Sequence, residues 1–411
     1  MPDPAEPTLD GLLDEAWALH PSTLGLRRRL HRHPEVGLRL PRTQQVILEA
    51  VADLGVELRT GESVTSVVAL LDGGRPGPTV LLRADMDALP LREETGLDFA
   101  SEVDGAMHAC GHDTHVAMLV SAARLLAARR RDIAGRVALM FQPGEEGYHG
   151  ARLMLEEGLL DGAGTHAAPV SAAFALHIST QYRTGTVNLR PGTLLASGDR
   201  LRIVVHGRGG HASAPHHALD PVPVACEIVQ ALQTAITRRV SVFDPAVLTI
   251  ARITAGTTHN IIPGTAEMLG TLRALSAHTR QAVRDQVVRV AEGVAAAHGA
   301  TVQVEVEAGY PVTVNDPDAA ELARRVGVDL VGEDRVTVLA DPIMGAEDFS
   351  YVLQRVPGAM AFLGACPPGL DPDSAPSNHS SQVVFDEDAL AVGVAAYAAL
   401  ALRHLARAAG G

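Results

Sequence analysis

The sequence predicts an α/β protein: a large domain on a mixed open sheet, with a smaller ferredoxin-like βαββαβ unit inserted into it. Short apolar runs end in polar loops and are separated by helical patterns; the stretch from about 199 to 308 then changes to the order βαββαβ, and the α/β pattern resumes after it. At 411 residues the chain is too long for one ordinary core. Two domains follow, residues 1–195 with 309–411, and residues 196–308.

"TVLLR" (79–83) leads into "ADMDALP", "RVALMF" (136–141) into "QPGEEG", and "AAFAL" (172–176) into His177. Leucine-rich or β-branched runs of this length read as buried strands, with helical patterns over 114–131 and 150–157 between them. In such a sheet ligands gather at the carboxyl ends of the strands, where these polar residues fall. The inserted stretch opens with the strand "RLRIVVHG", a helix over 220–238, and the strands "AVLTIARI" and "AEMLGTLRAL". A helix over 277–298 and the strand "TVQVEVEA" complete it. Beyond lie a helix near 317–328, "VTVLA", a helix from 347, "AMAFLG" and a final helix from Asp386.

Composition narrows the function classes. An apolar fraction of 46% with 20% charged residues describes a soluble globular protein. A net charge of −14 argues against nucleic acid, which rewards basic patches. All 34 basic residues are arginine, which excludes Schiff-base and P-loop lysine chemistry. Cys110, Cys226 and Cys366 are too few and too scattered for a disulfide framework, so a reducing cytoplasm is the expected location. The amino-terminal "MPDPAEPTLDGLLDEA" has no basic region followed by an apolar one, so no secretory signal is read there. "ALAVGVAAYAALAL" (389–402) falls short of a membrane span and reads as a buried helix. Neither a membrane nor a nucleic-acid partner is expected.

"MHACGHDTHVAM" (107–118) concentrates Cys110, three histidines and Asp113. Cys110 and His112 could face one metal because Gly111 lets the backbone bend, with Asp113 the expected N-cap of the next helix. Alone, the pair fits a metal site and an accidental neighbourhood equally well. Glu145 and Glu146 in "QPGEEG" repel each other unless cations compensate, although a solvated helix start accounts for them too. With His177 after the next strand, and His379 of "SNHSS" in a loop before the last helix, the donors become thiolate, imidazoles and carboxylate. Five ligands exceed the four that close one structural zinc. Two catalytic metals about 3.5–4 Å apart would use them, with one glutamate left as general base.

Nine motifs in order across nearly the whole chain carry a family resemblance: "RRRLHRHPEVG", "RADMDALP", "MHACGHDTH", "FQPGEEG", "ALH", "GRGGHASAPH", "THNIIPG", "GTLRAL" and "GAEDFS". The chain closely resembles the metal-dependent amidohydrolases that include aminoacylase, hippurate hydrolase and indole-acetyl-amino-acid hydrolase, within the carboxypeptidase/aminoacylase superfamily. The resemblance implies a catalytic α/β domain and a ferredoxin-like lid that also dimerises. It implies that Cys110, His112, Glu146, His177 and His379 bind two divalent ions, that Glu145 is base and proton shuttle, and that Asp87 orients a ligand. Asp85 stands where distant relatives carry a ligand histidine and stays outside the metal set. On the lid, His211 resembles the histidine that reaches a partner subunit to stabilise the oxyanion. Asn260 and Arg273 resemble the contacts to substrate carbonyl and carboxylate, and Gly345 would permit close backbone approach.

The resemblance thus implies hydrolysis of N-acyl or N-aroyl amino acids to a carboxylic acid and a free amino acid, by a homodimer, with a tetramer as the alternative. A dinuclear-metal dipeptidase and a non-catalytic N-acyl-amino-acid-binding homologue are the competing readings. Thiolate favours zinc, while nitrogen and oxygen donors also suit manganese, cobalt or nickel. Tyr148 and His149 depart from the glycines that relatives favour after the paired glutamates. His115, one turn beyond His112, reads as a support for the metal ligands or as a core hydrogen-bonder. His31, His33, His216 and His217 read as structural or surface histidines.

Overall fold

The computed structural model describes residues 8–161 and 169–410. Residues 1–7, part of the stretch read above for a secretory signal, lie outside the described residues. The chain forms two compact units: Met1–Leu194 with Val314–Asp341 and Tyr351–Gly411, and Leu195–Thr313 with Pro342–Ser350.

The larger unit carries an eight-stranded mixed sheet. At its centre Ala134–Gln142, Arg75–Asp85, Val170–Arg183 and Gly358–Cys366 lie side by side, all parallel. Glu57–Thr60 and Val67–Asp72 extend one side antiparallel, and Val187–Leu189 and Val336–Val338 the other. Central parallel strands are covered on both faces, which is why they read as unbroken apolar runs. Val80, Leu81, Leu82, Val137, Leu139 and Phe141 are fully buried. The helices Leu12–His31, His112–Ala128 and Ala389–Gly410 contribute to the same core. Ala389–Gly410 runs longer than "ALAVGVAAYAALAL" suggested and is apolar enough to span a membrane on composition alone, yet that stretch is almost wholly buried within the protein.

The smaller unit has the expected order. Asp199–His206, Pro221–Arg239, Ala246–Ala255, Thr265–Ala274, Ala277–Ala297 and Thr301–Glu307 alternate as βαββαβ. The strands pair antiparallel, with Asp199–His206 between Thr265–Ala274 and Thr301–Glu307, and with Ala246–Ala255 at the edge. Asp220 and Ser276 cap the two helices by accepting from the amides of Val222 and Thr279. Leu201, Ile203, Ile228, Leu232, Val283 and Val287 fill this unit's own core.

Two expectations need correction. The smaller unit is larger than 196–308, because residues 309–313 and 342–350 pack with it. The cause is backbone pairing, which leaves no apolar pattern: the Gly198 amide donates to the carbonyl of Tyr310 at 3.0 Å, and the Ala196 amide to the carbonyl of Ile343 at 3.0 Å. The helix expected from 347 is a single turn, Ser350–Leu353. Glu347 ends the preceding loop by accepting from the Phe349 amide at 2.9 Å.

Candidate metal centre

The parallel strands deliver their polar residues to one edge of the larger unit's sheet. Arg75–Asp85 runs into Asp87, Ala134–Gln142 into Glu145 and Glu146, and Val170–Arg183 carries His177. The loop after Gly358–Cys366 brings His379, and the start of His112–Ala128 brings Cys110 and His112. Gly111, not Asp113, is the N-cap of that helix, at φ 85°. A Cβ at Gly111 would lie 2.3 Å from the Ile178 side chain, so glycine is needed for both the turn and the packing. Asp113 instead is buried, accepting from His31 at 2.8 Å and pairing with Arg27 at 2.8 Å.

The five expected donors converge. Cys110 Sγ lies 3.4 Å from His177 Nε2 and 3.3 Å from His379 Nε2. His379 Nε2 lies 3.1 Å from Glu146 Oε1, and His112 Nε2 lies 4.0 Å from that same oxygen. Two groups that could each hold an ion share the sulfur: Cys110, His112 and His177, and Cys110, Glu146 and His379. Glu145 sits with His112 and Glu146 in a third. His379 is half exposed, so solvent reaches the cluster.

Two of the three rings are aimed by their other nitrogen. His112 Nδ1 donates to the carbonyl of Asp87 at 2.9 Å, and His177 Nδ1 to the carbonyl of Ile178 at 2.8 Å. Both Nε2 atoms therefore face the centre, the orientation metal-ligating histidines need. Asp87 also accepts from the amides of Glu145 and Glu146, each at 3.0 Å, and so fixes the turn that carries both glutamates. His379 sits in left-handed backbone at φ 71°, rare for a residue other than glycine. Its neighbour Asn378 holds that loop by donating to the carbonyls of Cys110 at 3.1 Å and Ile178 at 3.0 Å. Sequence reasoning missed Asn378; adjacency to His379 was the only available signal.

The electrostatics ask for a cation. Burial opposes charge on His112, but Asp85 and Asp87 outweigh it and push its pKa up to about 10. Burial, then the charges of Glu146, Glu145 and Asp85, drive the Cys110 thiol well above its usual range. Burial and neighbouring His115 hold His177 well below the ordinary histidine value, as a neutral base. Among the described residues, buried His112 Nε2 has no hydrogen-bond partner, and Glu146 Oε1 has none of good geometry. Adjacent carboxylates, a thiol that ionises only beside positive charge, and histidine nitrogens aimed at one spot together fit divalent metal ions. Asp85 also reaches His112, at 3.4 Å, but His115 and Arg83 engage its two oxygens at 2.5 and 2.7 Å.

This fold matches known proteins. The description "peptidase family M20/M25/M40" fits residues 81–403. The chain belongs to that family. It is a metal-dependent amidohydrolase, cleaving amide or peptide bonds. It is 40% identical to thermostable carboxypeptidase 1 of Saccharolobus solfataricus, over 92% of this chain and 94% of the relative. It is 38% identical to an N-acetylcysteine deacetylase of Bacillus subtilis, over 94% and 97% of the two chains. The crystal structure of the Bacillus subtilis YXEP protein, described as a dinuclear metal binding peptidase, superposes with a TM-score of 0.81 at 35% identity, over 95% of this M20 chain and 99% of that one.

The other singled-out residues of this M20 chain fall in varied surroundings. His211, in the strand Gly210–His211 paired with Ile261–Ile262, is exposed. Its Nδ1 accepts from the Ser213 amide at 3.1 Å, so Nε2 carries the hydrogen. Asn260, also exposed, accepts at its carbonyl from the Ala212 amide at 3.1 Å, which ties it to the His211 loop. Arg273 is half-buried, and burial lowers its pKa despite Asp199. Gly198 makes room for it, since a Cβ there would lie 2.6 Å from the guanidinium. Nothing in the protein itself demands glycine at 345, where a Cβ would meet only ordinary contacts. In the larger unit, His149 takes left-handed backbone at φ 60° and meets the Tyr351 hydroxyl at 3.0 Å.

Proposed function

We propose that this enzyme hydrolyses N-acyl or N-aroyl amino acids to a carboxylic acid and a free amino acid, using two divalent ions held by Cys110, His112, Glu146, His177 and His379. One observation carries the reading: five donors from distant stretches meet beside Glu145, whose backbone Asp87 holds in place. The N-acetylcysteine deacetylase relative supports the N-acyl side of it. Held by these residues, the metals would supply Lewis acidity for the scissile carbonyl and the attacking water. Glu145 takes the proton of that water and returns it to the leaving amine nitrogen, so the amide and water become acid and amine. Asp87 keeps Glu145 and Glu146 pointing at the centre. His211 donates its Nε2 hydrogen to the carbonyl oxygen as charge develops there. Asn260 contacts the carbonyl, Arg273 grips the substrate carboxylate with two parallel donors, and Gly345 lets the backbone approach.

The inserted unit acts as lid and dimerisation domain in this reading, in a cytoplasmic homodimer without membrane or nucleic-acid partners. Zinc or manganese, or else cobalt or nickel, fills the sites. A second reading, peptide hydrolysis, draws on the carboxypeptidase relative. The two separate in steady-state rates on N-acetyl amino acids, N-benzoyl-glycine and free dipeptides, after each metal is restored to chelator-stripped enzyme. Faster turnover of the acylated substrates is expected. Dipeptides turned over faster than every acylated substrate would replace this reading with the peptidase one.

A further inference from the structure

The strand Val170–Arg183 pairs with Arg75–Asp85 only as far as Ala175, opposite Arg83. Beyond that point two of its amides donate to side chains instead: Leu176 to the Tyr397 hydroxyl at 3.1 Å and Ile178 to His115 Nε2 at 2.8 Å. An amide can only donate, so His115 Nε2 accepts and its hydrogen sits on Nδ1. Nδ1 donates to Asp85 Oδ1 at 2.5 Å, and Asp85 Oδ2 lies 2.7 Å from Arg83 Nη1. Arg83 Nε in turn donates to Gln142 at 2.9 Å. Arg83, Asp85 and His115 have no exposed surface. The chain ends on the amide of Ile178, the residue whose carbonyl, in the next peptide, accepts from His177 Nδ1. The His115 ring also lies edge-on to that of His177, centroids 4.9 Å apart.

We propose that Arg83, Asp85 and His115 are positioning residues for His177, fixing its ring through the backbone of Ile178. This rests on the dinuclear reading above. A buried arginine–carboxylate pair gains a fold little over apolar packing, so a pair kept at zero exposure beside a metal ligand calls for a reason beyond stability. Here the charge of Asp85 locks His115 in the one tautomer that can accept from Ile178. With His115 and Arg83 on its two oxygens, Asp85 serves as a support and not as a ligand.

The test is cobalt(II) titration of chelator-stripped protein, reading the thiolate-to-cobalt absorption and both dissociation constants by competition. His115→Phe keeps the ring volume and loses both nitrogens, whereas His115→Gln retains one acceptor and one donor. The phenylalanine variant should weaken one of two cobalt sites by about 10–100-fold and spare the other, and the glutamine variant should recover most of that loss. His115→Asn, too short for both partners, carries the same expectation should His115→Phe fail to fold. Two ions bound by the parent, with both affinities kept or equally reduced in these variants, overturn the inference alone. Fewer than two ions bound by the parent overturn the dinuclear reading beneath it.

Discussion

The proposed metal donors and the proposed substrate-contacting residues are held in opposite ways. In the larger unit each donor is buried or pinned: His112 by a carbonyl, His177 by a carbonyl, Glu146 by Asp87, His379 by a loop tied down at Asn378. In the inserted unit His211 and Asn260 are exposed, and their side chains engage only near neighbours, Ser213 and Thr258, among the described residues. The difference follows from what each must do. Metal ligands lose their function if they drift by an ångström, so rigidity is built in before any ligand arrives. Groups that meet substrate must stay open to it, and their hydrogen bonds strengthen only when water is displaced.

If that contrast is right, disabling the rigid region should cost most. Glu145→Gln should lower kcat by about 10²–10⁴-fold on N-acyl amino acids while the protein still binds its metals. Parental turnover in that variant would break the assignment. His211→Ala should lower kcat by roughly 10²–10³-fold, with metal affinity and Tm unchanged because its surroundings are local and exposed. A parallel loss of metal would show that the two regions are not separable.

The smallest effect concerns the layer behind the donors. Burial opposes charge on His31, but Asp113 and Glu93 outweigh it and raise its pKa above 6.5. A raised folded pKa contributes stability that is full below pH 6.5 and fades as pH rises through the folded value. The Tm gap between the parent and His31→Gln should therefore be widest below pH 6.5 and close at alkaline pH, with at most about 1–3 kcal/mol involved. A gap that grows with pH would reverse the sign and discard this account.

Much of this was legible in advance. The central strands and the βαββαβ insertion show in the chain because burial imposes periodicity, and Glu145, Glu146 and His177 stand just after apolar runs. The placement of Asp113 as N-cap failed because its carboxylate answers Arg27 and His31, far away in sequence. The bounds 196–308 failed because segments such as 342–350 join through backbone pairing that any residue can make. His115 offered two readings until its partners appeared 30 and 63 positions away.

The amino-acid sequence by itself determined which residues could ligate, which runs could be strands, and that no lysine chemistry was available. Those are properties of side chains and of their spacing along a strand or helix. Only the tertiary structure decided which nitrogen of each histidine faces the centre, that Asp87 holds two glutamates by their amides, and that Asp85 answers to Arg83. Such choices depend on hydrogen bonds between atoms that folding alone brings within 3 Å. Their partners are mostly backbone groups, identical at every position and silent in the sequence.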